Sequence, residues 1–229
     1  NQPTALSIGL VDPDGQHVFI GHRSNLIMAA DGFPDSWRQA ISEADAVMIY
    51  GWTCLSMGPE ANLIAIEVAK EANVPVFFDP GPEISYMPPG WLEAMYVGST
   101  VVMLTEEEAQ MSLPSGLSSE EMAQSVLDLG PELVILKLGA KGMIGHTAEE
   151  TLYQPGIPVE VADLTGAGDS VAASVILSYL ERHALPKMLA LANATGAACV
   201  QKFGSGLNVP TKAEIMAVLN KAGSEYSFS

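Results

Sequence analysis

At 229 residues, 48% hydrophobic and 16% charged, the chain is most simply one folded domain with ample length for a buried core, and not a disordered segment. Its formal net charge of −17, with ten Lys plus Arg, excludes nucleic acid and anionic membrane surfaces as partners, because both are held by clustered positive charge. Any phosphate ligand must then rest on backbone amides, a metal ion and one or two lysines.

Cys54 and Cys199 lack metal-ligand spacing and read as free thiols in a reducing compartment. No apolar run approaches the ~20 residues of a membrane helix, and residues 1–20 lack a signal-peptide pattern, which points to the cytoplasm. The chain opens at Asn1 without a methionine and enters a strand-like run almost at once, so part of the natural chain is expected upstream.

In chain order, residues 6–20 alternate loosely around Asp12-Pro13-Asp14-Gly15, where Pro presets a turn and Gly tolerates positive φ, and this predicts a β-hairpin. From residue 34 onward strands and helices alternate, the pattern of a parallel sheet covered on both faces. Helices are predicted over 36–42, 59–72, 91–96 and 118–129, with Pro59 at a helix entry and capping chemistry at Ser118. Strands are predicted over 46–50, 74–78, 100–104 and 133–138, followed by a hairpin-like piece at 142–153. A short β-type run at Val159 and Val161 meets the turn Gly166-Ala167-Gly168, and helices follow to Leu180, over 187–202 and over 211–221. No internal repeat or linker interrupts this order.

In open α/β sheets ligands bind beyond the carboxyl ends of strands, so four loops carry the candidate chemistry. The turn at Gly166–Gly168 opens a helix, whose first N–H groups lack internal partners and whose dipole attracts anions. Asp169, in that first turn, would oppose a phosphate unless it takes a proton from a hydroxyl attacking it; the plain alternative is a first-turn acid after a tight connection. After the strand at 100–104, Thr105-Glu106-Glu107-Glu108 reads either as solvated acids at a helix start or as a metal-side group. Lys137-Leu138-Gly139-Ala140-Lys141-Gly142 is a turn with exposed lysines or a phosphate-side loop, and Lys141 belongs to the turn. The small residues of 191–198 read as close helix packing. His17, His22, His146 and His183 show neither metal spacing nor a nucleophile nearby and read as surface or loop residues, while Trp52 either packs at a rim or faces a substrate.

Asp163-Leu164-Thr165-Gly166-Ala167-Gly168-Asp169 resembles the Asp-Thr-x-Gly-Ala-Gly-Asp signature of the ribokinase-like (PfkB) carbohydrate kinases. The resemblance implies a three-layer α/β/α, Rossmann-like domain with a mainly parallel sheet, spanning residues 1–229, with part of a small β lid in 1–28. It implies ATP and Mg²⁺, with phosphoryl transfer to a hydroxyl of a sugar or sugar-like acceptor. Asp169 would be the base, and the amides of Gly166, Ala167 and Gly168 the anion hole. Glu108 matches the Glu of the family's Asn-x-x-Glu-Ala element on the metal side, with Thr105 in place of the Asn. Lys137 stands in the Thr place of a Thr-x-Gly-x-x-Gly loop, so Lys137, Gly139 and Gly142 would lie beside the nucleotide phosphates. Asn193 would lie near the adenine and Gly204 in the purine wall. Asp163, Thr165, Cys199, Gly204 and Asn208 would supply oxygens to a monovalent cation such as K⁺. Asn25 and Trp52 are the substrate-side candidates, and the lid is where a homodimer would form.

The signature departs from the usual pattern at Leu164, where Thr is common, and at Ser174, where Gly or Ala is usual. A strand with a sugar-binding Asp and a Gly-Gly-x-Asn element open members of the family, and neither precedes Asn1, so the expectation is that the amino-terminal part of the fold is missing. Only Arg23 and Arg38 lie on the acceptor side, which favours a neutral acceptor over a sugar phosphate. A nucleoside or sugar-phosphate kinase, and a non-catalytic ligand-binding relative, are the alternatives.

Overall fold

The structure, a computed structural model, describes residues 6–12, 17–22, 28 and 30–228. These divide into two compact units, one drawn from residues 24–138 and 144–151, the other from 4–23, 139–143 and 152–229.

The first unit contains α1 (Asp35–Ser42), β3 (Val47–Tyr50), α2 (Trp52–Met57), α3 (Pro59–Glu71), β4 (Val76–Asp79), α4 (Trp91–Gly98), β5 (Val101–Thr105), α5 (Glu106–Ser112), α6 (Ser119–Leu127) and β6 (Leu133–Lys137), after β1 (Leu6–Val11) and β2 (His17–His22) of the second. Strands β3, β4, β5 and β6 pair in parallel, with Tyr50 opposite Asp79, Phe78 opposite Val102 and Thr105 opposite Lys137. Runs such as Val101-Val102-Met103-Leu104 and Leu133-Val134-Ile135-Leu136 have no polar alternation because both faces of these strands are buried. Each parallel crossover needs a helix, and α3, α4 and the pair α5–α6 supply them. The core joins Phe78, Val102, Leu104, Val134 and Leu136 to Ile66, Trp91, Met95 and Val126. The Phe78 ring meets Trp91 and Tyr96 edge-on at 5.8 and 5.9 Å. The sheet continues through β7 (Gly142–Thr147) to β8 (Thr151–Pro155), in the order β3-β4-β5-β6-β7-β8.

In the second unit β1 and β2 form an antiparallel ribbon, with Ile8 opposite Ile20 and Leu10 opposite Val18. Its helices are α7 (Ala167–Leu180), α8 (Leu185–Cys199) and α9 (Lys212–Lys221), with Leu191, Ala194 and Ala198 packed on Ile215 and Leu219. A methyl group at Gly196 would come 3.0 Å from Val171, so the small residues of α8 do serve close helix packing.

The predicted strand at Val159 and Val161 is not formed. Val161 is half exposed, and the amides of Ala162 and Asp163 donate to the Val200 carbonyl at the end of α8 instead of to a neighbouring strand. Helix α2 was not anticipated, since six residues carry too little periodicity. His146 is not a surface residue: it is buried in β7, between the Thr151 hydroxyl at 2.5 Å and the Gln124 side-chain oxygen at 2.8 Å. His183 sits in the loop after α7, yet its side chain is only 8% exposed, beside Glu181. Among the described residues no helix is long and apolar enough to cross a membrane.

Candidate active site

The first group of candidates stands at the carboxyl ends of three adjacent parallel strands, all within the first unit. Thr105 ends β5 and caps α5: its hydroxyl accepts the Glu108 N–H at 3.1 Å, and its own N–H donates to Glu108 Oε2 at 2.7 Å. This reciprocal pair fixes the Glu108 side chain at the strand end, where it is 6% exposed. Burial pushes the Glu108 carboxyl above the usual carboxylate range, against the pull of the Lys137 ammonium, while the charge of Asp79 adds to the upward push.

Lys137, at the end of β6, is not an exposed turn lysine. Its Nζ lies 2.5 Å from Asp79 Oδ2, and the two side chains are 12% and 7% exposed. Asp79 Oδ1 also accepts the Gly81 N–H at 3.2 Å. Asp79 is the site residue that reading the sequence missed. The available signal was an acid closing a buried strand ahead of Pro80 and Gly81. Trp52, which opens α2, is partly exposed, and its indole nitrogen would stand 3.6 Å from a methyl group at Gly81.

The second group lies in the second unit and is built mainly from backbone. Gly166 adopts φ 80°, a left-handed conformation that a side chain would strain, and serves as the N-cap of α7. Gly168 and Asp169 follow in the first turn, where helix geometry leaves N–H groups without intrahelical partners. The Ala167 N–H donates to the Leu164 carbonyl at 3.2 Å. Asp163 shapes the turn from below: Oδ1 accepts the Thr165 N–H and hydroxyl at 2.9 and 2.7 Å, and Oδ2 accepts the Gly204 N–H at 2.8 Å. The Cys199 thiol donates to the Thr165 carbonyl at 3.8 Å, so Asp163, Thr165, Cys199 and Gly204 converge. Asn208 instead donates to Phe203 O at 2.6 Å within its own loop.

Other predicted positions have structural duties. A methyl group at Gly142 would lie 2.0 Å from the Gln154 carbonyl, so the approach of its own hairpin accounts for that glycine. Gly139, by contrast, adopts φ 58° and a methyl group there would meet nothing within 4 Å. Asn193 is buried and donates to the Pro155 carbonyl at 2.8 Å. Asn25 lies outside the described residues.

Among the described residues no three His, Cys, Asp or Glu side chains come together as metal ligands. With the Asp79 carboxylate held by Lys137, the buried Glu108 carboxylate would be the group to hold a magnesium ion, one that kept most of its waters.

Residues 1–212 match the pattern of the pfkB family carbohydrate kinases. Of two relatives from Arabidopsis thaliana, the protein named "Probable fructokinase-4" is 28% identical over 94% of this chain and 70% of its own length. A ribokinase is 25% identical over 96% of this chain, which spans 58% of the ribokinase's length. Among solved structures, a candidate ribokinase II from E. coli, in complex with ATP and Mg²⁺, is similar with a TM-score of 0.79 at 24% identity, over 90% of this chain and 68% of that one. At that identity the likeness shows the fold, a mainly parallel sheet flanked by helices. With the family pattern running through 212 of its residues, the chain belongs to the pfkB family of carbohydrate kinases.

Proposed function

We propose that the protein transfers the γ-phosphoryl group of ATP to a hydroxyl of a sugar or sugar-like acceptor. The observation that carries this reading is the turn before α7, where a left-handed Gly166 opens the helix and sets first-turn amides and the Asp169 carboxylate side by side. Asp169 accepts the acceptor's hydroxyl proton as its oxygen bonds to the phosphorus and the bridging oxygen departs with ADP. The amides of Gly166 and Gly168 offset the charge that develops on the phosphoryl oxygens, while that of Ala167 is held by the Leu164 carbonyl. Lys137 and the glycine of open surroundings, Gly139, face the nucleotide phosphates. Magnesium held through water beside Glu108 would neutralise further phosphate charge.

A neutral acceptor suits the cations present: Arg38 already lies over the Phe33 ring at 5.2 Å, and Arg23 lies outside the described residues. A nucleoside or sugar-phosphate acceptor is the alternative within the same chemistry. For a monovalent cation such as K⁺ the fit is poorer, because both Asp163 carboxylate oxygens already accept hydrogen bonds. Main-chain oxygens would have to do most of the holding. We also read the β1–β2 ribbon as part of a lid through which two copies pair, since Leu6, Ile8, Leu10, Val18 and Ile20 are each more than half exposed. Two buried free thiols, Cys54 and Cys199, and the use of ATP suit a cytoplasmic setting.

A binding-only relative is favoured at one point, where the Ala167 amide is taken by the Leu164 carbonyl and the hole is one donor short. An ADP-release assay of the full-length protein against a panel of sugars, nucleosides and sugar phosphates separates the readings. Turnover with at least one neutral sugar is expected. Tight acceptor binding without turnover for any member of the panel would overturn the kinase reading.

A further inference from the structure

Asp79 closes β4 and Lys137 closes β6, and β5 lies between those strands in the sheet, so their ion pair crosses the end of β5 where Thr105 and Glu108 stand. The Asp79 carboxylate is fixed at both oxygens, one by the Gly81 N–H in an Asx-type turn and one by the lysine. An ammonium has three donors, and among the described residues that of Lys137 makes one hydrogen bond, to Asp79. Two donors therefore remain for a ligand without breaking the pair. Stability alone is a weak reason for this arrangement, because a buried ion pair is often matched or bettered by apolar residues of the same volume. The chain has ten Lys plus Arg in all, and it buries this one at a strand end where ligands bind. Glu108, bonded to the main chain of Thr105, which stands opposite Lys137 in the sheet, is the competing acceptor.

We propose that Asp79 is the positioning residue for Lys137: it holds the ammonium toward the nucleotide phosphates and keeps it from collapsing onto the metal-side Glu108. The inference rests on the nucleotide-side reading of Lys137 and adds what that reading lacks, the group that aims the lysine. Without Asp79 the ammonium pairs with Glu108, and one rearrangement weakens both the phosphate contact and the metal side.

The test is calorimetric binding of a non-hydrolysable ATP analogue with Mg²⁺ to the full-length protein, with thermal unfolding as the check on folding. Lys137→Ala and Asp79→Asn are each expected to weaken the analogue about tenfold, and Asp79→Glu, which restores the charge on a longer arm, to recover part of the loss. Among folded variants KM for ATP should rise while KM for the acceptor stays within twofold. The double variant Asp79→Asn/Lys137→Met should regain the thermal stability that Asp79→Asn loses, yet keep the weak nucleotide binding. If Asp79→Asn fails to fold, Asp79→Glu decides, with partial weakening supporting the proposal. Wild-type affinity in the Asp79 variants beside a weakened Lys137→Ala would overturn the positioning role alone. Wild-type affinity in Lys137→Ala would instead bring down the nucleotide-side reading of the loop, and the inference with it.

Discussion

The two groups of candidate residues handle charge by opposite means. At the ends of β4, β5 and β6 the candidates are side chains that are themselves charged and buried, so each must be paired or capped: Lys137 by Asp79, Glu108 by Thr105. Before α7 the candidate groups are mainly backbone amides, which carry no net charge and need no ion partner, and the buried carboxylate beneath them, Asp163, accepts from donors of the neighbouring loops. A site made of paired side chains is adjustable one residue at a time, whereas a site made of amides stands or falls with the path of the chain.

That contrast can be broken first at Asp169. Asp169→Asn is expected to cut turnover about a thousandfold while nucleotide binding survives, since the amides beside it remain; steady-state kinetics with calorimetry checks both halves. Near-normal turnover would remove the base assignment. Next in size is Asp163→Ala. It strips acceptors from the Thr165 and Gly204 amides in a site 3% exposed, and should cost about 3 kcal/mol in denaturant unfolding, with turnover lost along with the turn. A loss confined to cation dependence, with stability intact, would show that Asp163 serves an ion and not the turn.

Thr105→Ala removes a helix cap and should cost about 1 kcal/mol, with Thr105→Ser recovering most of it. If Ser recovers stability but not nucleotide binding, the threonine does more than cap. The smallest effect concerns pH. Because the Glu108 carboxyl is held above its ordinary range in the folded chain, it keeps a proton there that the unfolded chain has already lost. Its contribution to stability is therefore full below the ordinary carboxylate range and falls as pH rises through the raised value. Unfolding curves across that window should flatten in Glu108→Gln; an unchanged slope would mean that another group sets it.

The same contrast explains what could be read from the sequence. Main-chain sites announce themselves in local spacing, so the 163–169 turn was visible in seven residues, and the parallel strands were visible as continuous apolar runs. The Asp79–Lys137 pair joins residues 58 positions apart, and neither residue type at its own strand end distinguishes a pair from a solvated charge. His146 was misread for the same reason, since its partners Gln124 and Thr151 come from other elements. Val159 and Val161 have strand propensity, but propensity supplies no neighbouring strand to pair with.

Gly142 and Gly156 stand on opposite sides of one close backbone contact. A methyl group on Gly142 would meet the Gln154 carbonyl at 2.0 Å, and one on Gly156 the Ala140 carbonyl at 2.0 Å. In a saturation-mutagenesis scan both positions should therefore reject every other amino acid, as sharply as a catalytic aspartate would. Scored on growth alone, such a scan would rank two pieces of hairpin geometry among the enzyme's essential chemistry; scored on the amount of folded protein, it would set them apart at once.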